Sequence, residues 1–480
     1  MNELTIPLEE NSKEPLYQQI YHYIKNEIRK GSLPAGQKLP STRALAQHLQ
    51  ISRSTVDFAY GQLLSEGYIE SVPYKGHFVC EITRLYQQIG LISEEKEPTK
   101  TKPAAFDFSP NSVDITEFPF DTWRKISKNV FADEDKSIFE MGTPKGDLRL
   151  RETICSYLHS SRGVECAPSQ IIVGAGNDYL LMLLQKILGT GRKAAVENPA
   201  YMRAARIFAS GGYEVAPIGL DENGMRIDKL RESGAQIAYI TPSHQFPTGV
   251  IMPIGRRMEI LAWAREREDR YIIEDDYDSE FRYKGMPIPS MQASDESGKV
   301  VYLGTFSKSI APAIRVSYMV LPKELLRIYE EKLWFVSSTV SRIDQAILYH
   351  FIEDGHFERY LNKMRKVYKG KHDLIMERLR PFQEAFRIRG EYAGLHVLLE
   401  DRRGYSEEKL LELAKGADCR VYGMSDYLIG SRETGQGTPR GAEPDAVCNM
   451  APATVIIGYA ALTEEQIIEG TERLKKVWQI

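Results

Sequence analysis

Residues 304–315 read GTFSKSIAPAIR, which is the most informative stretch of the chain. It follows the apolar run VVYL of residues 300–303, which predicts a buried strand. The amine of Lys308, with hydroxyls on both sides and the guanidinium of Arg315 downstream, would suit an aldehyde that carries a phosphate. Pyridoxal phosphate is a cofactor of that kind. A Ser-Lys pair alone is equally compatible with a solvated loop.

Two upstream segments strengthen the cofactor hypothesis. Asp275 follows the strand pattern YIIE of residues 271–274. A carboxylate at the carboxyl end of a parallel strand faces the ligand crevice, where it could keep a ring nitrogen protonated. The loop GAGN of residues 174–177 lies between a strand pattern and an apolar helix pattern. Small residues at a helix start let backbone amides approach a phosphate, although an ordinary strand-to-helix turn is the alternative.

Three motifs occur in a characteristic order: PSHQFPTG at 242–249, IEDDYDSEF at 273–281 and GTFSK at 304–308. They resemble the motifs of fold-type I aminotransferases, and most closely the version found in MocR/GabR-type regulators. The resemblance implies an α/β PLP-dependent transferase fold of type I, with pyridoxal 5'-phosphate as cofactor.

The resemblance also implies a role for each matching residue. Lys308 would form the Schiff base and Asp275 would pair with the pyridinium nitrogen. Tyr277 would donate a hydrogen bond to the ring hydroxyl, and Tyr201 would stack on the ring, although a tyrosine at 201 could also be a packed core aromatic. The phosphate would be bound by Ala175, Gly176, Asn177, Thr305, Ser307 and Arg315.

The amino-terminal region predicts a small separate domain. Apolar residues recur every fourth position from Leu16 to Ile28, which predicts a helix that ends before Gly31. A capped helix is predicted over residues 40–49, and a second begins after a short turn, with Ser52 as N-cap. Residues 68–72 and 77–80 flank the tip PYKG and predict a hairpin, that is, a wing.

Residues 14–80 resemble the winged helix-turn-helix of GntR-type regulators, an α+β domain. The resemblance implies a double-stranded DNA operator as partner, contacted by Ser41, Arg43, Ser52, Arg53, Thr55, Lys75 and Gly76. A charged solvated face is the alternative, since residues 1–80 contain eight Lys or Arg and eight Asp or Glu residues. Affinity for DNA must therefore come from the placement of the basic side chains and from dimerisation of the protein.

Length and composition predict a multidomain protein. The chain has 480 residues, of which 42% are hydrophobic and 27% charged. We expect a winged-helix domain over 1–80, a charged linker over 81–104 and an aminotransferase-like body over 105–480. Within the body we expect a large subdomain at about 140–325, a helical run over 322–379 and a smaller carboxyl-terminal α+β subdomain at about 375–480. Residues 430–452 predict a mobile loop.

The charge and cysteine content exclude several classes of protein. A formal net charge of −4 favours neither general nucleic-acid affinity nor membrane attraction. Five cysteines lack metal-ligand spacing, so no metal site is expected and a reducing cytoplasm is the simplest compartment. The amino terminus lacks a signal pattern, and no apolar stretch is long enough to span a membrane.

Two departures from the aminotransferase pattern bear on mechanism. Phe246 stands where aminotransferases place an asparagine on the cofactor's ring oxygen, so Tyr277 would make that contact alone. Ala461 stands where they place an arginine that clamps the substrate carboxylate, and a methyl group cannot form a bidentate ion pair. Arg203 is the candidate for an effector carboxylate, with a surface or structural role as its alternative.

The motifs together favour a PLP-dependent, DNA-binding transcription regulator that acts as a homodimer. It would sense an amine or amino-acid effector, or the cofactor itself, through the Schiff base at Lys308. The alternative is an active aminotransferase that carries a DNA-binding domain. Loss of the arginine clamp favours weak transaminase activity, or a half-reaction, at most.

Overall fold

The computed structural model describes residues 6–9, 14–81, 104–132, 136–283, 288–390, 394–430 and 452–480. The chain divides into two compact units, Met1–Lys102 and Pro103–Ile480. The linker predicted at 81–104 lies outside the described residues from 82 to 103. The loop predicted at 430–452 lies outside them from 431 to 451.

The first unit consists of three helices and a hairpin: α1 (Leu16–Lys30), α2 (Thr42–His48), α3 (Arg53–Ser65), β1 (Ile69–Val72) and β2 (Gly76–Val79). The predicted apolar face of α1 is confirmed, because Ile20, Ile24 and Ile28 are fully buried. β1 and β2 pair antiparallel with Ile69 opposite Val79, which is the predicted wing. These elements form a winged helix-turn-helix around one apolar core.

Serine hydroxyls fix the starts of α2 and α3. Ser41 accepts a hydrogen bond from the Ala44 amide at 3.2 Å, and Ser52 accepts one from the Thr55 amide at 3.2 Å. The Tyr60 hydroxyl of α3 donates to the Pro40 carbonyl at 3.0 Å. This last hydrogen bond ties α3 to the residue before the cap of α2.

The second unit is built on an eight-stranded sheet. Its strands are β4 (Ile171–Gly174), β5 (Lys193–Asn198), β6 (Glu214–Asp221), β7 (Gly224–Met225), β8 (Ile237–Ile240), β9 (Tyr271–Asp276), β10 (Val300–Thr305) and β11 (Ser317–Val320). The strand order is β4-β11-β10-β9-β8-β5-β6-β7. The central strands β10, β9, β8, β5 and β6 run parallel, whereas β11 and β7 run antiparallel to their neighbours.

Helices cover both faces of this sheet, as predicted. They are α4 (Phe120–Ala132), α5 (Leu148–Arg162), α6 (Asn177–Leu188), α7 (Met202–Ser210), α8 (Ile227–Glu232) and α9 (Ile254–Arg265). Neighbouring residues of β9 point to opposite faces: Ile273 packs in the core of α6 and α7, and Ile272 packs in the core of α9. Burial on both faces explains why these strands read as continuous apolar runs.

The helical run predicted over residues 322–379 is interrupted. After the short α10 (Phe306–Ser309), the run consists of α11 (Lys323–Lys332), α12 (Arg342–Glu353) and α13 (His356–Arg378). Ser341 starts α12 by accepting hydrogen bonds from the amides of Ile343 and Asp344. Gly355, at φ +70°, separates α12 from α13, because that left-handed conformation suits glycine.

The carboxyl-terminal part is a smaller α+β layer. Its elements are β12 (Phe386–Arg389), β13 (His396–Asp401), α14 (Glu407–Gly416), β14 (Cys419–Arg420), β15 (Tyr422–Gly423), β16 (Thr454–Gly458) and α15 (Glu464–Val477). Four strands form a sheet in the order β12-β13-β16-β15, and β14 pairs with the first strand of the body, β3 (Phe106–Asp107). None of the described helices is long and apolar enough to cross a lipid bilayer.

Candidate functional site

The predicted cofactor residues lie where parallel strands end. Residues 175–177 follow β4, Tyr201 follows β5, Asp275 and Tyr277 lie at the end of β9, and Lys308 follows β10. Parallel strands end at the same edge of a sheet, and an open α/β sheet binds ligands at that edge. The fold therefore brings together side chains that are as much as 133 positions apart (308 − 175).

Asp275 is held by two hydrogen bonds. The Asn177 amide donates to its Oδ1 at 3.1 Å, and the Tyr239 hydroxyl donates to its Oδ2. Burial, assisted by the charge of Asp276, raises the pKa of Asp275 to about 7. A cation beside this carboxylate would favour its ionised form, so Asp275 suits a protonated ring nitrogen. The sequence analysis missed Tyr239, whose only signal was a phenol within the buried strand pattern IAYI.

Lys308 lies in α10, directly after β10. Its Nζ donates to the carbonyl oxygens of Pro110 and Asn111 at 3.3 and 3.2 Å. Burial lowers the pKa of Lys308 to about 8, although the charge of Asp278 opposes the shift. At pH 7 about a tenth of such an amine is neutral, far more than for an ordinary lysine. Lys308 is thus prepared to react with an aldehyde.

Tyr277 belongs to a polar cluster. Its hydroxyl lies 3.0 Å from Nδ1 of His244, and the same Nδ1 lies 3.0 Å from Oδ2 of Asp278. Burial and the charges of Asp278 and Asp275 raise the pKa of Tyr277, so the phenol stays protonated and can donate. His244 and Asp278 lie within the motifs at 242–249 and 273–281, but no role was predicted for either residue.

Phe246 packs among aromatic rings. Its ring centroid lies 5.8 Å from that of Tyr277, 6.3 Å from that of Tyr201 and 5.2 Å from that of Tyr427. A phenyl ring cannot replace the hydrogen bond of an asparagine. That Tyr277 alone contacts the ring oxygen stays a prediction.

Tyr201 precedes α7 and is half-buried. Burial raises the pKa of its hydroxyl to about 12, and four charged side chains act on it. These are Arg203, Asp178, Asp275 and Arg315. Two of them, Asp275 and Arg315, are predicted to hold the cofactor.

Glycine at residue 176 lets the turn between β4 and α6 lie directly against the Arg315 side chain. Gly176 has φ +97°, and a Cβ at this position would come within 2.4 Å of Arg315 Nη2. That guanidinium donates to the Ala175 carbonyl at 3.2 Å. Backbone amides and a cation therefore meet at the start of α6, which suits a phosphate.

The hydroxyls of Ser307 and Thr305 complete the candidate phosphate site. Ser307 Oγ is buried and has no hydrogen-bond partner within the described residues. Thr305 Oγ1 accepts hydrogen bonds from the Ser307 amide at 3.1 Å and from Ser317 at 2.8 Å. A buried hydroxyl without a partner is uncommon and points to a missing ligand atom. The set fits the phosphate group of pyridoxal phosphate.

Arg203 is already paired. Its Nη1 lies 3.0 Å from Oδ2 of Asp178, and the same oxygen lies 3.6 Å from Nη2 of Arg315. The Arg203 side chain is 60% exposed. An effector carboxylate would compete with Asp178 for the Arg203 guanidinium. Residue 461 is an exposed alanine, so it cannot supply a second guanidinium for that carboxylate.

The predicted DNA residues fall into two groups. Arg43, Arg53 and Lys75 are exposed, and Gly76 begins β2 with φ +104°. The hydroxyls of Ser41 and Ser52 cap α2 and α3, and that of Thr55 lies 2.8 Å from Ser52. The three serine and threonine residues thus also shape the helix starts. No three His, Cys, Asp or Glu side chains of the described ranges cluster as metal ligands do.

Two family models match the chain. Residues 16–79 match the bacterial regulatory proteins of the gntR family, and residues 107–400 match aminotransferase class I and II. The two matches cover the winged helix and most of the second unit.

Relatives of full length share this arrangement. The chain is 39% identical over 469 residues to an uncharacterized HTH-type transcriptional regulator, YdeL, of Bacillus subtilis, covering 97% of each protein. It is 29% identical to the probable rhizopine catabolism regulatory protein MocR of Rhizobium meliloti, covering 98% of this chain and 95% of that protein. Among solved structures, a multiple substrate aminotransferase from Thermococcus profundus is similar with a TM-score of 0.68 and 25% identity, covering 79% of this chain and 92% of that one.

Proposed function

This chain belongs to the MocR/GabR-type transcriptional regulators of the GntR family, and on that premise we propose that chemistry at Lys308 controls its binding to an operator. Its winged helix-turn-helix is a DNA-binding domain, and its body has the aminotransferase fold of type I, which implies pyridoxal phosphate as cofactor. The proposal concerns how the second unit regulates the first.

Each residue of the cofactor site has a proposed task. When bound, pyridoxal phosphate supplies an aldehyde that condenses reversibly with primary amines. Lys308 attaches the cofactor, Asp275 stabilises the charge on the ring nitrogen, and Tyr277 donates to the ring hydroxyl. The phosphate is held by the turn at 175–177 with Thr305, Ser307 and Arg315, and Tyr201 stacks on the ring.

One observation carries the proposal. Burial lowers the pKa of Lys308 to about 8, at the same sheet edge where Asp275 has both carboxylate oxygens fixed. An amine with this pKa adds to an aldehyde, and is displaced from it by another amine, readily near neutral pH. A second amine, the effector, competes with Lys308 for the same aldehyde.

The effector is an amine or amino acid, or the cofactor itself. Arg203 is the proposed contact for an effector carboxylate, after displacement of Asp178. A ligand changes the operator affinity only if it binds two arrangements of the protein unequally. Ala461 in place of an arginine makes regulation by the cofactor alone the second candidate.

Assembly, boundaries and compartment are also proposals. A homodimer would present two winged helices to a repeated or palindromic operator. Exposed Phe120, Phe139, Trp334 and Phe335 support burial of the body against a second copy. The division of the chain at residue 102 supports a boundary between a winged helix at 1–80 with its linker at 81–104 and a body at 105–480. The separate sheets of eight and four strands support subdomains at about 140–325 and 375–480. Because its proposed target is DNA, we propose that the protein resides in the cytoplasm.

Operator binding with and without ligands tests the proposal. The intact protein is treated with pyridoxal phosphate, reduced with borohydride and digested, and the peptide with Lys308 should carry the adduct by mass spectrometry. Operator affinity is then measured by fluorescence anisotropy for apoprotein, loaded protein and loaded protein with candidate amines. Lys308→Ala should bind the operator but lose the response to ligands. An identical response of this variant would contradict the proposal.

A turnover assay distinguishes a sensor from an enzyme. With amino donor and keto acid in excess, a sensor gives a lasting change of absorbance without continued product. An active aminotransferase that carries a DNA-binding domain gives steady formation of the new amino acid. Steady turnover without any effect of either substrate on operator affinity would favour the enzyme.

A further inference from the structure

Near its amino-terminal end, α3 carries an acid one turn after the base that is proposed to contact DNA. Arg53 Nε lies 3.4 Å from Asp57 Oδ2, and the two side chains are 68% and 46% exposed. The inward face of α3 is formed by Val56, Ala59, Tyr60 and Leu63. Arg53 and Asp57 therefore belong to the outward surface of the helix.

Helix stability does not explain this pair. The cation precedes the anion by four positions at the amino-terminal end of α3. This order opposes the helix dipole, and the reverse order is the more favourable one. An exposed pair of this kind also contributes little to folding.

General attraction to DNA does not explain Asp57 either. A carboxylate on the surface that meets phosphates lowers the affinity for every sequence alike. Residues 1–80 have no excess of basic residues to offset it, with eight of each sign. An acid retained at this place, at a cost in affinity, indicates a role in choosing among sequences.

We propose that Asp57 is a specificity-determining residue that positions the Arg53 guanidinium for the edge of a guanine. The inference rests on the proposed contact of α3 with DNA. Pairing through Nε leaves both terminal nitrogens of Arg53 available, and that fork matches O6 and N7 of guanine. In the groove water is excluded, so the attraction between the two side chains strengthens.

Asp57 also acts against wrong partners. Its carboxylate repels phosphate oxygens, so Arg53 is held away from a sequence-independent contact with the backbone. The second carboxylate oxygen can accept from the N4 amine of a cytosine. One side chain thus positions Arg53 for a guanine, can accept from a neighbouring cytosine, and disfavours a contact with phosphates alone.

Selection from a pool of random duplexes tests the proposal on the intact protein. Wild type should enrich guanine at one position of each half-site. Asp57→Asn, which removes only the charge, should reduce that preference roughly tenfold. The same variant should bind random-sequence DNA at least as tightly as wild type. Glu27→Gln, which removes one carboxylate from α1, is the charge-matched control and should keep the guanine preference.

A double mutant shows whether Asp57 acts through Arg53. Arg53→Ala should lose the guanine preference, and addition of Asp57→Asn should cause no further loss at that position. Asp57→Ala provides a second variant with the same expected outcome as Asp57→Asn. Circular dichroism and cofactor absorbance verify that each variant is folded.

The outcomes distinguish this inference from the proposed function. Full guanine preference in both Asp57 variants, or a further loss in the double mutant, would overturn the role of Asp57. Failure of wild type to enrich any sequence would instead overturn the proposed operator binding, and the inference with it.

Discussion

The cofactor site and the DNA-facing surface use the same residue types in opposite environments. Asp275 is 4% exposed and has both oxygens bonded, and burial shifts its pKa to about 7. Asp57 is 46% exposed and has one ion pair at 3.4 Å. Burial sets the chemistry of the first carboxylate, whereas the second acquires its effect only when a partner excludes water from it. Substitutions should therefore act strongly and locally in the body, and weakly and with salt dependence on the winged helix.

Asp275→Ala should have the largest effect. It leaves the Tyr239 hydroxyl and the Asn177 amide as buried donors without an acceptor, at about 1–3 kcal/mol each. It also removes the partner of the ring nitrogen. We expect a loss of stability of a few kcal/mol in chemical denaturation, and affinity for pyridoxal phosphate at least about tenfold lower, or ~1.4 kcal/mol.

Asp275→Asn is the control that keeps the shape of the side chain and removes its charge. It keeps an acceptor for Tyr239, so stability should recover while cofactor affinity stays low. Equal cofactor affinity in wild type and Asp275→Asn would show that charge at this position is unimportant.

Gly176→Ala should have the next largest effect. Gly176 and Gly189 flank α6 with nearly the same backbone angles, φ 97° and ψ 164° against φ 88° and ψ 167°. Both substitutions should cost about 1–3 kcal/mol of backbone strain. Only a Cβ at 176 meets Arg315, whereas nothing lies within 4 Å of one at 189.

A comparison of the two glycine variants distinguishes an effect of backbone strain from an effect on the phosphate site. Absorbance titration should show weakened binding of pyridoxal phosphate for Gly176→Ala and near wild-type binding for Gly189→Ala. Operator affinity of the apoprotein should be unaffected in both. Equal cofactor affinity in the two variants would remove the turn at 175–177 from the phosphate site.

The pH dependence of cofactor attachment should show a moderate effect. Burial lowers the pKa of Lys308 to about 8, so the neutral amine becomes more abundant as pH rises and is the major form above 8. Stopped-flow absorbance should give an attachment rate that rises about tenfold per pH unit below 8 and then levels. A rate still rising at pH 10 would mean that the reacting lysine has an ordinary pKa.

Lys75→Ala should have the smallest effect. Lys75 is exposed at the tip of the wing, where it would neutralise a phosphate. We expect operator affinity to fall a few-fold and the slope of log affinity against log salt to decrease by about 1. Cofactor absorbance should stay the same. An unchanged salt slope would remove Lys75 from the interface.

Much of the fold could be predicted because its signals are local. The four-residue period of α1, the serine caps at 41 and 52 and the hairpin tip at 73–76 each depend on a few neighbouring residues. The sheet was predictable from apolar runs that end in glycine or in polar residues. The helical run predicted over 322–379 consists of three helices, and the positions of its breaks, at 333–341 and 354–355, were not predicted.

The site was predictable only in part. Lys308, Asp275 and Tyr277 stand in contiguous motifs, so the sequence indicated them. Tyr239 and Asp178 gave no such signal, because their roles depend on side chains 36 and 137 positions away, at Asp275 and Arg315. The pairing of Arg203 with Asp178 likewise required the tertiary packing that brings α6 beside α7, since β5 lies between them in the chain.

The sequence by itself determined which groups are available: one amine after a buried strand, a carboxylate at the end of another, and two helices with a wing to meet DNA. The tertiary structure decided their state. Packing removes water from Lys308 and Asp275 and so moves both pKa values toward neutrality. It also gives Asp275 two donors, whereas Arg53 and Asp57 stay in solvent. The reason is that the energy of a charge depends on the atoms around it in three dimensions, which residue order alone does not give.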